Sequence, residues 1–230
     1  MTRDPSGADL GHDGGALAGG FADPVFDAQR VFRAALDALS RPGRIVLLAP
    51  HAAPPAPLTP TAAALILALA DADTPVFLDA ALAASPAVRA YLRFHAGAPL
   101  VDAPNEAAFA VIAEPAAMPP LSAFAVGTPD YPDRSATLIL QVADLSPPAA
   151  GAGPAGSDRA PAAGLVLAGP GIADVVRLAA APLPADFAAA WAANRALHPC
   201  GVDLLLAGPA AVAGLPRSTR LLAAEGGPCT

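Results

Sequence analysis

The 230-residue chain is long enough for one sizeable core or at most two small ones. Hydrophobic residues make up 54%, with alanine dominant, and charged residues only 14%, below the ~25% usual for soluble domains. The net charge of −7 with no basic stripe argues against a nucleic-acid protein, and all 13 basic residues are arginine, so neither a pyridoxal phosphate Schiff base nor a P-loop lysine exists.

Residues 1–20 are rich in glycine and aspartate, lack an apolar period and the apolar core of a secretory signal, and read as a disordered lead. Asp23-Pro24 then opens a helix, with Asp23 as N-cap and Pro24 at its first position. Val25, Phe32, Leu36 and Leu39 recur at helical spacing, which predicts them on the inner face, with Asp27, Arg30, Arg33 and Asp37 on the other. Pro42-Gly43 stops the helix and 44–48 reads as a strand. Thr59-Pro60 repeats the cap signature before a buried helix over 61–70. A strand over 75–79 follows, then a helix capped by Ser85-Pro86 that reaches His95 and ends at Gly97. Strands are expected over 109–113 and 135–142, around a loop at 115–120. The Pro/Gly/Ala-rich stretch 146–163 reads as a flexible insertion. A strand over 165–168, a helix over 184–197 carrying Phe187, Trp191 and Leu197, and strands over 202–206 and 212–215 complete the pattern, before a loose tail at 223–230. Strands that alternate with helices predict one layered α/β domain over 21–222, with helices on both faces of its sheet.

Cys200 and Cys229 are far apart and form no C-x-x-C, so zinc and iron–sulfur clusters have no ligand set here. The four histidines, His12, His51, His95 and His198, form no H-x-x-x-H or H-E-x-x-H, which predicts no metal site. His198 and Cys200, two residues apart at a helix exit, point in different directions and make a poor nucleophilic dyad. No strongly apolar stretch of ~20 residues exists to span a membrane. The expectation is a soluble cytoplasmic protein with reduced thiols and no cofactor or metal of its own.

The most informative segment is the polar run Gly127-Thr128-Pro129-Asp130-Tyr131-Pro132-Asp133-Arg134-Ser135-Ala136-Thr137, set directly before the apolar strand Leu138-Ile139-Leu140. Taken in order with Phe21-Ala22-Asp23-Pro24-Val25-Phe26, Ser40-Arg41-Pro42-Gly43, Tyr91-Leu92-Arg93-Phe94-His95, Gly169-Pro170-Gly171-Ile172 and Leu215-Pro216-Arg217-Ser218-Thr219-Arg220, it resembles the H-subunit family of the bacterial carbon–phosphorus lyase core complex. The resemblance implies a three-layer α/β/α sandwich with a mixed sheet, likened to pyridoxal-phosphate transferases without their cofactor. It further implies an auxiliary, non-catalytic subunit that works with the G, I and J subunits and forms a homodimer when isolated. The complex so implied attaches a phosphonate to the ribose of a nucleoside triphosphate, displacing the base; radical cleavage of the carbon–phosphorus bond belongs to the J subunit and its iron–sulfur cluster.

Three clusters carry candidate chemistry for an anion or an interface. Asp133, Arg134 and Ser135 offer a guanidinium fork and a hydroxyl suited to a phosphate or phosphonate, or to ordering the loop. The expected role of Arg134 is structural: its five donors can tie down loop carbonyls or Asp130. Gly169 and Gly171 read as a tight turn that only resembles an anion cradle. Arg217 and Arg220, with two hydroxyls between them, fit an acidic partner, a phosphate chain or plain solvation. The rival readings are a composite active site in which Arg134 and Arg217 clamp a triphosphate or phosphonate, and a stand-alone small-molecule α/β enzyme.

Overall fold

A computed structural model describes residues 18–49, 52–147 and 163–222. Most of the expected lead and insertion and all of the tail lie outside these residues. Ala18–Gly20 belong to the folded part: the Gly19 carbonyl accepts from Ala53 N at 2.8 Å and from the Tyr91 hydroxyl at 2.9 Å.

Helix α1 (Pro24–Ser40) begins where the cap signature places it, with the Asp23 side chain accepting from Phe26 N at 3.2 Å. A two-residue strand β1 (Val46–Leu47) leads to α2 (Pro60–Leu69), then β2 (Val76–Leu78). A short turn of helix α3 (Ala80–Ala83), α4 (Pro86–His95) and β3 (Leu100–Val101) follow. Then come β4 (Phe109–Ile112), β5 (Thr137–Gln141), β6 (Asp144–Ser146), β7 (Ala163–Ala168) and β8 (Val176–Ala181). Helix α5 (Phe187–Ala196) precedes β9 (Asp203–Ala207), β10 (Ala211–Leu215) and β11 (Arg220–Leu222).

Seven strands form a mixed sheet in the order β1-β10-β9-β5-β4-β2-β3. Strands β9, β5, β4, β2 and β3 run parallel, while β10 pairs antiparallel with β9 and β1. Four strands form a second, antiparallel sheet, β11-β7-β8-β6. One face of the large sheet packs Val76, Leu78, Val111, Ile139, Leu205 and Val212 against α1, α2, α3 and α4. The other packs Phe77, Ile112, Leu138, Leu140, Leu204 and Leu206 against the small sheet and α5, through Leu165, Leu167, Leu178, Phe187 and Trp191. The α/β class is as the alternation predicts, and the mixed sheet is as the resemblance implies. The second face differs from the expected layer of helices: the alanine-rich β8 and the short β6 and β11 pair across it, and α5 is its one α-helix among the described residues.

The inner face of α1 also differs from expectation. Val31, Ala34, Ala35 and Ala38 are buried, together with Asp27, and Val25, Phe32 and Leu36 point outward. The reason is close approach. A Cβ on Gly214 of β10 would sit 2.6 Å from the Ala38 carbonyl oxygen, so helix and strand meet backbone to backbone. Only small residues fit such a contact. Asp27 is tolerated inside because its carboxylate accepts from Asp23 N at 3.0 Å and Arg30 Nη2 at 2.8 Å.

Two buried side chains close the carboxyl end of the parallel strands. Asp79, just beyond β2, accepts from Leu82 N at 3.1 Å, Ala113 N at 2.8 Å and Glu114 N at 2.9 Å. The chain leaves β2 for β3 on one side and returns as β4 on the other, so Asp79 fills the crevice where the strand order reverses. In doubly wound sheets that crevice is the usual ligand site. Gln141, at the end of β5, donates to the Pro57 carbonyl at 3.1 Å and accepts from Thr59 N at 2.6 Å, which fixes the entry to α2.

Burial pushes the Tyr91 phenol up to about 12 from 10.0. The folded state therefore holds the phenolic proton more tightly than the unfolded chain, and this contribution is whole below pH 10 and lost as the pH rises through about 12. With no lysine in the chain, few other groups titrate in that window. Denaturant melts from pH 8 to 12 are expected to show this alkaline loss in the native chain. Tyr91→Phe, which also removes the bond to Gly19, should cost about 1 kcal/mol at neutral pH and shed that part of the alkaline slope.

Candidate functional site

The sheet brings the polar run and the Arg217 segment together at the amino ends of β5 and β9, the end opposite Asp79. Asp203 is the first residue of β9, and Arg217 follows the end of β10, which runs antiparallel beside it. Asp203 accepts from Arg217 N at 2.7 Å, and Arg217 Nε lies 3.1 and 3.2 Å from its two carboxylate oxygens. Arg217 Nη2 also donates to Asp203 and to the Ser135 hydroxyl. Arg217 Nη1 reaches the Pro132 carbonyl at 2.8 Å and the Pro199 carbonyl at 3.4 Å. All five guanidinium donors thus have partners within the chain. Both side chains are largely withdrawn from water, Arg217 at 15% and Asp203 at 20% exposure. A fork–carboxylate pair with these geometries is among the stronger polar contacts available to a protein.

The clamp ties three loops to one strand start. The loop ahead of β5 folds on itself through Thr128 and Tyr131, whose backbones exchange hydrogen bonds at 3.0 and 3.1 Å. Gly127 has φ +76°, and a Cβ there would meet Pro132 O at 2.9 Å. The loop after α5, with a cis bond between His198 and Pro199, delivers the Pro199 carbonyl. Asn194 secures that loop from behind: its side chain donates to Val202 O at 3.0 Å and accepts from Val202 N at 2.8 Å, as a neighbouring strand would.

Arg134 does not tie down the loop. It is exposed and stacks on the Tyr131 ring, 4.1 Å from the centroid, and Arg217 holds the Pro132 carbonyl instead. With the Pro132 carbonyl taken by Arg217, Arg134 faces water. Asp133 is also exposed and, among the described residues, forms no ion pair. Ser135 joins the clamp as an acceptor for Arg217.

Gly169 and Gly171, with φ +141° and +81°, shape the β7–β8 turn. A Cβ on Gly171 would lie 2.3 Å from the Ser40 carbonyl oxygen, so this turn packs on the end of α1. A Cβ on Gly169 would lie 3.1 Å from Ser218 O, which brings this glycine beside the Arg217–Arg220 segment. Trp191 fixes that segment, donating through Nε1 to Thr219 O at 2.9 Å. Arg220 is exposed at the start of β11. His198 is exposed and Cys200 is half-buried, with no hydrogen bond between them. No three metal-ligating side chains cluster among the described residues. No helix among them is long and apolar enough to cross a membrane.

Three polar residues with defining roles carry no motif. Asp203, Asp79 and Gln141 were visible only as single polar residues at the ends of apolar strands. That position is itself a signal, because a polar group there must find partners.

Fold and site together define an α/β domain whose strongest polar cluster is an internal arginine clamp, closed on the chain's own loops. The family model described as bacterial phosphonate metabolism protein (PhnH) matches residues 19–222. A relative from Rhizobium meliloti (strain 1021), the alpha-D-ribose 1-methylphosphonate 5-triphosphate synthase subunit PhnH, is 45% identical over 204 residues, which cover 89% of this chain and 94% of its own length. The chain belongs to the PhnH family of bacterial phosphonate metabolism proteins.

Removing the clamp is expected to be costly. Arg217→Ala leaves the Asp203 carboxylate and the Pro132 carbonyl short of donors and should lower unfolding stability by roughly 2–4 kcal/mol. Arg217→Lys should recover only part of it, since an ammonium cannot reproduce the fork. Arg134→Ala, which removes an exposed cation–π contact, should cost less than about 1 kcal/mol. Chemical denaturation of the three variants checks the order.

Proposed function

We propose that the chain is an auxiliary subunit of the carbon–phosphorus lyase core complex, in which it works with the G, I and J subunits during cytoplasmic phosphonate breakdown. The observation that carries this reading is similarity to a named synthase subunit along nearly the full length of both chains. The complex joins a phosphonate to the ribose of a nucleoside triphosphate, and this chain serves as a folded platform for its partners. When isolated it self-associates as a homodimer. The likeness to pyridoxal-phosphate transferases without their cofactor belongs to the same proposal, and the absence of lysine agrees with it.

The geometry supports a platform in one respect. Arg217, the better buried of the two arginines proposed as an anion clamp, has every donor engaged within the chain. An anion could gain it only by displacing Asp203 or the loop carbonyls. Arg134, the other arginine of the composite-site reading, is exposed, as are Asp133 and Arg220.

Tagged chain purified from phosphonate-grown cells is expected to bring down the G, I and J subunits, identified by mass spectrometry, while light scattering of the isolated chain reports a dimer. Recovery of the chain alone from such cells would overturn the assignment. An Arg134→Ala chain that melts and assembles normally yet abolishes phosphonate-dependent growth would favour the composite active site instead.

A further inference from the structure

Helix α1 carries its bulkiest apolar side chains on the outside. Val25, Phe26, Phe32 and Leu36 are 62%, 61%, 45% and 51% exposed. At 3.6 residues per turn, Val25, Phe32 and Leu36 fall on one stripe, with Phe26 to one side. The opposite face of the helix is already buried through Val31, Ala34, Ala35 and Ala38, and Ala38 meets Gly214 backbone to backbone. The first turn of α1 borders a cavity of about 410 Å³, shared with Gly19, Phe21, Leu67 and His95. Phe94, 60% exposed, packs edge-on against His95 with ring centroids 4.9 Å apart. The exposed apolar side chains of α1 form a track, and Phe94 adds a further apolar side chain next to His95, which lines the cavity shared with α1. Exposed apolar surface of this extent marks an interaction site.

Charge decides which partner fits. Arg30 is engaged by Asp27, and Arg41 and Arg44 share Asp37. Arg33 lies between the stripe and Phe26, is exposed, and has no ion pair among the described residues. Arg93, beside Phe94, is exposed and equally unpaired among them. On a chain of net charge −7, the track is thus edged by free positive charge. Antiparallel two-fold packing of α1 on a second copy sets the same flank of each helix against the other, which brings the two Arg33 side chains to one side of the seam. Like charges so placed disfavour that pairing.

We propose that the outer face of α1, with the adjoining cavity and Phe94, docks a helix of another subunit that presents apolar side chains bordered by carboxylates. The proposal rests on the reading of this chain as a complex subunit and adds to it the docking face and the chemistry of what it takes. Val25, Phe32 and Leu36 supply the apolar seam, and Arg33 and Arg93 select the acidic rim. Helix-in-groove recognition of this form reads as anchors at helical spacing.

The test co-expresses tagged chain with the other subunits of the complex and quantifies each captured subunit. Phe32→Glu and Leu36→Glu place a carboxylate in the seam, Arg33→Glu reverses the rim, and Arg195→Glu, exposed in the last turn of α5, is the control. All four should melt within about 3 °C of the native chain, since each site is exposed. Capture is expected to fall about tenfold or more for the two seam variants and several-fold for Arg33→Glu, with the control and the self-association of the isolated chain unchanged. Capture by the native chain should also weaken as salt rises. Seam variants that melt normally and capture partners at native yield overturn the proposal. So does loss of self-association with capture intact, which would give the face to a second copy. A native chain that captures no subunit removes the complex-subunit reading itself, and this proposal with it.

Discussion

The contact between α1 and β10 sets the terms for the rest of the molecule. Its backbones meet because Gly214 has no side chain and the facing helix offers alanine. Close approach of this kind gains dispersion energy along the whole helix and leaves little room for alternatives. It fixes the rotation of α1, and from that rotation follow both the burial of Asp27 and the outward display of Phe32 and Leu36. The β7–β8 turn then closes on the helix end, where Gly171 approaches Ser40. A single glycine-to-alanine contact thereby orients a helix, a turn and a surface.

The two ends of the large sheet are organised by different chemistry. At the carboxyl end, Asp79 and Gln141 satisfy backbone donors and acceptors left open by short strands and proline-rich connections. At the amino end, the clamp of Arg217 and Asp203 does so for two loops, taking the carbonyls of Pro132 and Pro199. Both are answers to the same constraint, that a buried polar backbone group needs a partner. No apolar side chain, large or small, can satisfy such groups, so a handful of polar side chains carries the loops.

The sequence was most readable where local chemistry decides structure. Asp23-Pro24 and Ser85-Pro86 mark helix starts at the right residues, because capping depends on the residues themselves. The strongly apolar strands β4, β5 and β9 are equally plain. Strands β6, β8 and β11 were not legible, since alanine-rich or three-residue segments become strands only by pairing across the chain. The buried face of α1 was misread for a related reason: periodicity ranks residues by hydrophobicity, while this contact selects by size. At the site, the polar run and the Arg217 segment were both visible, but not that they touch, because the pairing of β5 with β9 that joins them is non-local. The role expected of Arg134 passed to Arg217 through that same pairing.

Asp79 gives the sheet a different character from doubly wound sheets that bind nucleotides. Its carboxylate stands where such folds receive a phosphate, and the backbone N–H groups of Ala113 and Glu114 that would greet a visiting anion are turned onto it. The protein in effect carries a permanent, covalently attached occupant in its own cradle. With those donors engaged, an anion could enter this crevice only by displacing the Asp79 carboxylate.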